Sequence, residues 1–493
     1  MPADEAPGAV RFYGPNMTGI GDLLRQRATT DPDRDLVRFG TASVTVAVAD
    51  ARSTTLAHGL VGKGVRPGDR VVLALPNGLD FPLLWLAAAK AGAVVVPVSP
   101  TSGSHDLGHV LADSGAVLVV SDVPRPGCGV PVLRPAELLT APAVPLPVVD
   151  RADVMSLQYT SGTTGLPKAC VLTHDYWLAL GETVAALSRL TADDVLLTAQ
   201  SCSYIDPQWN LLVALQTGAP LVVLPRFSPS TFWDSVVETG ATFCYLVGAM
   251  PLFLLQQPER PAVERGHRLR LVVCSGIDPA LHATFEQRWA VPWREAFGMT
   301  ETGVDLAVPV EDTDSVGCGW LGVPAPGKEV RVDEGELLIR GRPMFRGYWN
   351  RPSPFDVDGW FRTGDLVQQD DVGRLRLVGR KKDMVRRAGE NIAAAEVEAV
   401  LVQHPSVAAA AVVPEPDRLR GEEVKAYVQP RPEQQIDPAE LVAFVAGRLA
   451  RFKVPRYVEV VDALPLTPSS RVAKHLLVSD PLKTYDARAV VTA

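Results

Sequence analysis

The sequence predicts an α/β protein with a large N-terminal domain of largely parallel sheets, a small β-barrel-like subdomain and a small α+β C-terminal domain. Three observations lead there. A chain of 493 residues is too long for one ordinary hydrophobic core, so two or more domains are expected. From residue 70 onward, short β-rich runs alternate with helix-patterned stretches, which marks βαβ units. Beyond residue 319 the texture changes to short strands punctuated by Gly and Pro.

The elements follow in order. Residues 70–75 (RVVLAL) read as a strand, 79–91 as a helix and 94–98 as a second strand. A parallel crossover of this kind is expected to be right-handed. A Pro-rich bridge occupies 142–149, after which the alternation resumes. Residues 221–224, 242–246 and 269–274 are apolar without alternation, as strands covered on both faces are, with helices between them around Phe232 and Phe253. Residues 335–340 (GELLIR) belong to the barrel-like stretch. Thereafter 393–403 and 439–449 read as helices, and 407–413 and 424–428 as strands. The domains are therefore drawn at 1–378 and 384–493, with 379–383 between them.

Composition excludes several classes. Hydrophobic residues make up 47% of the chain, enough for large cores and too many for disorder. The net charge is −8 and no basic stripe is present, so nucleic acid is not an expected partner. The most apolar stretch, 83–98, is interrupted by Lys90 and Gly92 and reads as buried helix plus strand, so no membrane span is expected. The opening MPADEAPGAVRF is acidic and lacks the apolar run of a secretory signal. Six cysteines are scattered without ligand spacing, mostly in apolar surroundings. Buried free thiols and a cytoplasmic location are expected.

The chemistry sits in five motifs. Tyr159-Thr160-Ser161-Gly162-Thr163-Thr164-Gly165-Leu166-Pro167-Lys168 combines glycines, hydroxyls and a lysine just after an apolar run. Glycines let backbone N–H groups approach an anion, hydroxyls add donors, and the lysine adds a point charge. The order differs from a P-loop. Glu295-Ala296-Phe297-Gly298-Met299-Thr300-Glu301-Thr302-Gly303 sets a hydroxyl and a carboxylate beside glycine. Thr363-Gly364-Asp365 offers a carboxylate suited to two ribose hydroxyls. Gly379-Arg380-Lys381-Lys382-Asp383 precedes Arg386, Arg387 and Gly389-Glu390-Asn391-Ile392. Last comes Leu464-Pro465-Leu466-Thr467-Pro468-Ser469-Ser470-Arg471-Val472-Ala473-Lys474. Singly, each reads equally well as a polar turn, a solvated charge or a linker. Their joint order reverses that weighting.

With these motifs the chain, from about residue 20 to 477, resembles the adenylate-forming superfamily of acyl-CoA synthetases, peptide-synthetase adenylation domains and luciferases. The resemblance implies stacked α/β sheets in the large domain and a mobile small domain that acts as a lid. It implies that Thr160, Ser161, Gly162, Thr163, Thr164, Gly165 and Lys168 form the loop over the ATP phosphates, and that Gly276 lines the adenine. Thr300 would contact the α-phosphate and Glu301 would help hold Mg²⁺. Asp365 would bind the ribose, supported by Arg380. Lys382 would be the hinge. Gly389, Glu390 and Asn391 would form the small-domain loop that enters the site for the second half-reaction. In that chemistry a substrate carboxylate attacks the α-phosphorus of ATP, pyrophosphate leaves, and a thiol then takes the acyl group from the adenylate. No covalent enzyme nucleophile is required.

Two positions depart from the family pattern. Ala169 follows Lys168 where glycine is usual. Ser470-Arg471 stands where the family has Gly-Lys, and that lysine ordinarily reaches both substrate carboxylate and α-phosphate. Arginine keeps the charge but not the compact ammonium. Either Arg471 does the work with adjusted geometry, or Lys474 reaches in, or adenylation is impaired; the first two together are favoured. The acid pocket is expected around Tyr204, Asp206 and Trp209, with Asp206 either holding a substrate ammonium or opening a helix as Asp-Pro commonly does. Gly298-Met299-Thr300-Glu301 resembles the acyl-CoA synthetase version of its motif. Residues 224–234 and 386–392 resemble the carnitine/crotonobetaine-CoA ligase group. The leading reading is an acid–thiol ligase using ATP, Mg²⁺ and coenzyme A on a small carboxylic acid. The rivals are an adenylation enzyme loading an amino or aryl acid onto the phosphopantetheine of a carrier protein, transfer to an amine, and a nucleotide binder that has lost catalysis.

Overall fold

The computed structural model describes residues 17–160, 167–388, 390–466 and 472–488. It divides into two compact units, one of residues 1–330 and 339–361 and another of residues 331–338 and 362–493.

The first unit holds two sheets. A six-stranded sheet runs in the order Val132–Leu133, Leu118–Ser121, Arg70–Ala74, Val94–Pro97, Val154–Thr160 and Lys168–Thr173. Its pairings are parallel except the last. The predicted strand–helix–strand unit is present as Arg70–Ala74, helix Asp80–Ala91 and Val94–Pro97. A nine-stranded sheet has a parallel centre formed by Trp293–Met299, Leu271–Ser275, Phe243–Val247, Leu196–Thr198, Leu221–Val223 and Asp35–Phe39. Antiparallel strands close both of its edges. The uninterrupted apolar runs have the cause assigned to them: Val72 and Val96 in one sheet, and Phe243, Cys244, Leu271 and Val272 in the other, are all fully buried.

Helices Asp80–Ala91, His174–Leu187 and Ile205–Thr217 are apolar almost all round, and all three are buried on nearly every side. One core cluster joins them to strands of both sheets, from Val71 and Val95 to Leu196 and Leu221. The two helices that follow the phosphate-loop hairpin lie close together. A Cβ on Gly181 would stand 2.3 Å from Gln216 Oε1, so a larger residue there would have to move the Gln216 side chain.

The second unit is α+β. Its main sheet runs Glu390–Ala393, Met384–Arg387, Gly421–Pro430, Tyr457–Val460 and Thr484–Asp486, and the long strand Val407–Asp417 also pairs with Gly421–Pro430. Helices Ala394–Leu401 and Pro438–Ala446 share its core with Val385, Ile392, Val424 and Val458. Asp437 caps the second helix by accepting from Ala439 N, with Pro438 at its first position. A four-stranded sheet of Lys328–Asp333, Glu336–Gly341, Phe361–Gln369 and Leu375–Arg380, whose residues are divided between the two units, accounts for the Gly- and Pro-punctuated stretch. Among the described residues, no helix is long and apolar enough to cross a membrane.

Candidate active site

The phosphate-loop motif begins and ends on an antiparallel hairpin. Thr160 lies opposite Lys168, so residues between them form the link, and Thr160 Oγ1 donates to Lys168 O at 3.4 Å. Ser161, Gly162, Thr163, Thr164 and Gly165 fall outside the described residues. Lys168 Nζ stands 3.7 Å from the centre of the Tyr348 ring. A cation so placed gains about 0.5–2 kcal/mol. The Tyr348 hydroxyl donates to Glu301 Oε1 at 2.7 Å. Tyr348 is held because its segment runs along the hairpin: Cys170 bridges Tyr348, Val171 N donates to Gly347 O at 2.9 Å, and Trp349 N donates to Ala169 O at 2.9 Å. One aromatic ring therefore joins the lysine of the first motif to the carboxylate of the second.

The Thr300-Glu301 turn is fixed from all sides. Gly303 has φ +79°, and a Cβ on Gly298 would lie 2.0 Å from Gly303 O, so the turn needs both glycines. The Tyr176 hydroxyl donates to Thr300 O at 2.9 Å, and Phe345 N donates to Glu301 O at 2.8 Å. Beneath the turn Thr302 donates to the Asp305 carboxylate, and Lys328 Nζ lies 3.3 Å from Asp305 Oδ1, with both charged side chains fully buried. Lys328 also donates to the carbonyls of Thr302 and Pro343. Burial pushes Asp305 up and Lys328 down, and each partner's charge opposes that push. Glu301 itself is 8% exposed. Among the described residues, no group of three or more His, Cys, Asp or Glu could hold a metal ion by itself. A lone carboxylate fits Mg²⁺ that takes its remaining oxygens from a nucleotide.

Gly276 follows strand Leu271–Ser275 with φ +89° and open space on its Cβ side. Its N–H and that of Ile277 donate to the two oxygens of Glu295 at 2.9 and 2.7 Å. Burial raises the Glu295 carboxyl to about 7, although these N–H bonds pull it down. The hydroxyls of Ser275 and Tyr245 lie 2.6 Å apart.

Tyr204, Asp206 and Trp209 sit where helix Ile205–Thr217 begins. They therefore stand past the carboxyl end of strand Leu196–Thr198, the edge at which parallel sheets bind ligands. Gln208 fixes the approach: it donates to Tyr204 O at 2.8 Å and Gln158 Oε1 at 3.1 Å, and accepts from the Trp85 indole at 2.9 Å. Trp209 is 5% exposed, packs edge-on against Tyr245 at 5.2 Å and donates its indole N–H to Asp206 Oδ1 at 3.4 Å. Asp206 occupies the first turn, where a carboxylate favours the helix dipole. Burial and the Asp206 charge raise the Tyr204 phenol.

The remaining predicted residues belong to the second unit. Asp365 is 1% exposed and pairs with Arg380 Nε at 2.8 Å across strands in register. Its backbone is set by Thr363, whose hydroxyl accepts from Asp365 N at 3.0 Å and donates to Leu337 O at 2.7 Å. Lys382 lies in the turn Lys381–Asp383, its ammonium depressed by burial, with Arg380 and Lys474 acting the same way. Lys474 Nζ is paired with Glu398 Oε1 at 2.7 Å. Glu390 and Asn391 open the strand Glu390–Ala393. Gly389 and Arg471 lie outside the described residues. Sequence reasoning missed Tyr348, Glu295 and the Lys328–Asp305 pair. Glu295 stands at the head of the second motif without a role having been read for it, and Tyr348 left a trace as an aromatic in the Arg346-Gly347-Tyr348-Trp349-Asn350 run.

Cysteines 170, 202, 244 and 274 are free and fully buried, and burial raises each of their thiols, Cys202 and Cys244 to about 12.

Stacked α/β sheets with this residue set are those of an enzyme that activates carboxylic acids as adenylates. The chain belongs to the AMP-binding enzyme family: the family's model matches residues 24–349, and that of the AMP-binding enzyme C-terminal domain matches 396–471. Within it the protein is an acid–thiol ligase of the AMP-forming kind. It is 33% identical to a feruloyl-CoA synthase of Amycolatopsis sp, over 92% of this chain and 98% of that one. It is also 33% identical to a salicyl-AMP ligase / salicyl-S-ArCP synthetase of Mycobacterium tuberculosis, over 93% and 90%. Among solved structures, the o-succinylbenzoate CoA synthetase of Bacillus subtilis in complex with its acyl-adenylate intermediate is similar at 27% identity. The TM-score is 0.86, covering 93% of this chain and 98% of that one. The same synthetase with ATP and magnesium matches with a TM-score of 0.85 and 27% identity, over 92% and 98%.

Proposed function

We propose that this protein joins a small carboxylic acid to coenzyme A in two steps, with ATP as the activating substrate. The carrying observation is the Lys168–Tyr348–Glu301 chain, which sets a cation and a carboxylate at one place on the hairpin base. Lys168 and the hydroxyls of the 160–165 loop bind the phosphates and balance charge as the acid attacks and pyrophosphate leaves. Thr300, presented by Tyr176, donates to the α-phosphate. Glu301 would hold Mg²⁺, which when bound would supply Lewis-acid charge to the phosphates. Gly276, with no side chain in the way, lets adenine lie against its backbone. Asp365, steadied by Arg380, accepts from the ribose hydroxyls. Residues 379–383 act as the hinge between domains 1–378 and 384–493, with Lys382 at its centre. Gly389, Glu390 and Asn391 serve the thiol step.

Arg471 takes the role of the usual lysine, assisted by Lys474. For Lys474 to act, its ion pair with Glu398 must open. If Lys474→Ala leaves adenylation at the wild-type rate while Arg471→Ala abolishes it, Lys474 has no part. Tyr204, Trp209 and Asp206 line the acid site, and the aromatic character of Tyr204 and Trp209 fits relatives named for feruloyl, salicyl and succinylbenzoate chemistry. A carrier protein is the second acceptor considered, supported by the salicyl-S-ArCP synthetase relative. A cytoplasmic location fits the free cysteines.

The test is pyrophosphate release with ATP and Mg²⁺ across fatty, aryl, α-amino and β-amino acids, each with and without CoA. Turnover that requires CoA is expected. Turnover indifferent to CoA points to a carrier protein, and ATP binding without release on any acid would overturn the enzymatic reading.

A further inference from the structure

We infer that Glu423, with its neighbour Glu422, is a positioning residue for the thiol half-reaction, acting by locking the paired strands Met384–Arg387 and Glu390–Ala393. The inference rests on the proposed role of the 389–391 loop. The hairpin joins strands Met384–Arg387 and Glu390–Ala393, and each of the three residues before its tip has its own anchor. Arg386 N donates to Glu422 Oε2 at 2.6 Å. Arg387 Nε lies 2.6 Å from Glu423 Oε2, and its Nη1 donates to the carbonyls of Phe452 at 2.6 Å and Val454 at 3.2 Å. Ala388, at φ +52° in the left-handed region, donates its N–H to Arg420 O at 2.8 Å. A side chain rarely takes that conformation unless its surroundings impose it.

Glu423 is the hub of this arrangement. It is fully buried, yet it faces four guanidinium groups: Arg387, Arg488 at 2.6 Å, Arg420 at 3.6 Å and Arg456 at 3.7 Å. A buried carboxylate is costly unless cations compensate it, and those cations would repel one another without it. Stability alone does not call for such a hub, because packed apolar side chains in place of the whole cluster would serve a sheet at least as well. What the charge adds is a fixed seat for Arg387 and for the strand Met384–Arg387 that carries it. Neither glutamate belongs to the motifs that mark the site, and Glu423 acts only through Arg387.

The experiment separates the two half-reactions in the full-length enzyme. Adenylation is read by ATP–pyrophosphate exchange, and acyl transfer by thioester formation over a CoA series. Glu423→Gln keeps the shape and removes the charge. The expected result is a tenfold or greater loss of kcat/KM for CoA, with pyrophosphate exchange within about twofold of wild type. Glu422→Ala, which removes only the Arg386 anchor, is expected to show the same pattern more weakly, and Glu423→Asp to restore part of the loss. Gly389→Leu tests the loop itself. If it impairs acyl transfer while Glu423→Gln and Glu422→Ala do not, the hub is structural and the inference falls while the loop's role stands. If Gly389→Leu is also silent, the loop's role is wrong. Should Glu423→Gln fail to fold, Glu422→Ala alone decides.

Discussion

At the scale of single residues, Tyr348 is the contact on which the site turns. Its ring lies against Lys168 and its hydroxyl against Glu301, so the two functions can be separated. Tyr348→Phe keeps the ring and removes one hydrogen bond to a carboxylate, worth about 1.5–3 kcal/mol. Pyrophosphate exchange should fall between roughly ten- and a hundredfold, and Tyr348→Ala should fall further. Glu295 makes a second prediction. Its carboxyl is raised by burial to about 7, above its unfolded value, so its stabilising contribution is complete at low pH and is lost as pH rises through about 7. The stability of wild type relative to Glu295→Gln, which cannot ionise, should therefore fall between pH 5 and pH 8 in paired thermal melts. These residues also show what the sequence does not carry. Lys168, Glu301 and Asp365 were legible because they sit in short ordered motifs. Tyr348 is 47 residues from Glu301, and Glu295 reaches a turn 18 and 19 residues upstream. Such pairings are created by the packing of strands and have no spacing rule.

Among elements, the turn between strands Trp293–Met299 and Gly303–Ala307 holds the most constraint. The hydroxyl and carboxylate beside glycine were readable; the fully buried Lys328–Asp305 pair beneath them was not, since each lies in an unremarkable strand context. Removing one partner strands the other charge. Lys328→Met should destabilise the first unit by about 3–5 kcal/mol in urea denaturation. Adding Asp305→Asn should recover part of that loss, because the uncompensated charge is gone. The strands read at 70–75, 94–98, 221–224, 242–246 and 269–274 and the helix at 79–91 were legible to within a few residues, whereas helices His174–Leu187 and Ile205–Thr217 and strand Leu196–Thr198 were not read. The Thr363-Gly364-Asp365 carboxylate was legible too, but its pairing with Arg380 depends on strand register.

For the molecule as a whole, the two compact units divide between residues 361 and 362, and the proposed hinge at 379–383 lies within the second of them. Composition and the change of texture along the chain announced more than one domain, while the inclusion of residues 331–338 in the second unit is a matter of sheet pairing that no local pattern records. If residues 379–383 are the hinge, stiffening them should spare the first half-reaction and stop the second. Lys382→Pro is expected to retain pyrophosphate exchange and lose most thioester formation. Equal loss of both would remove the hinge from the mechanism.

An enzyme that offers activated acyl groups to thiols carries its own hazard in cysteine. Cys170 lies on the strand that Lys168 begins and bridges Tyr348, yet burial holds its thiol protonated far above neutral pH. The reactive form is the thiolate. Cys202, Cys244 and Cys274 are silenced in the same way. Burial thus keeps these four thiols, though not the partly exposed Cys128 and Cys318, in the form that does not compete for an acyl group.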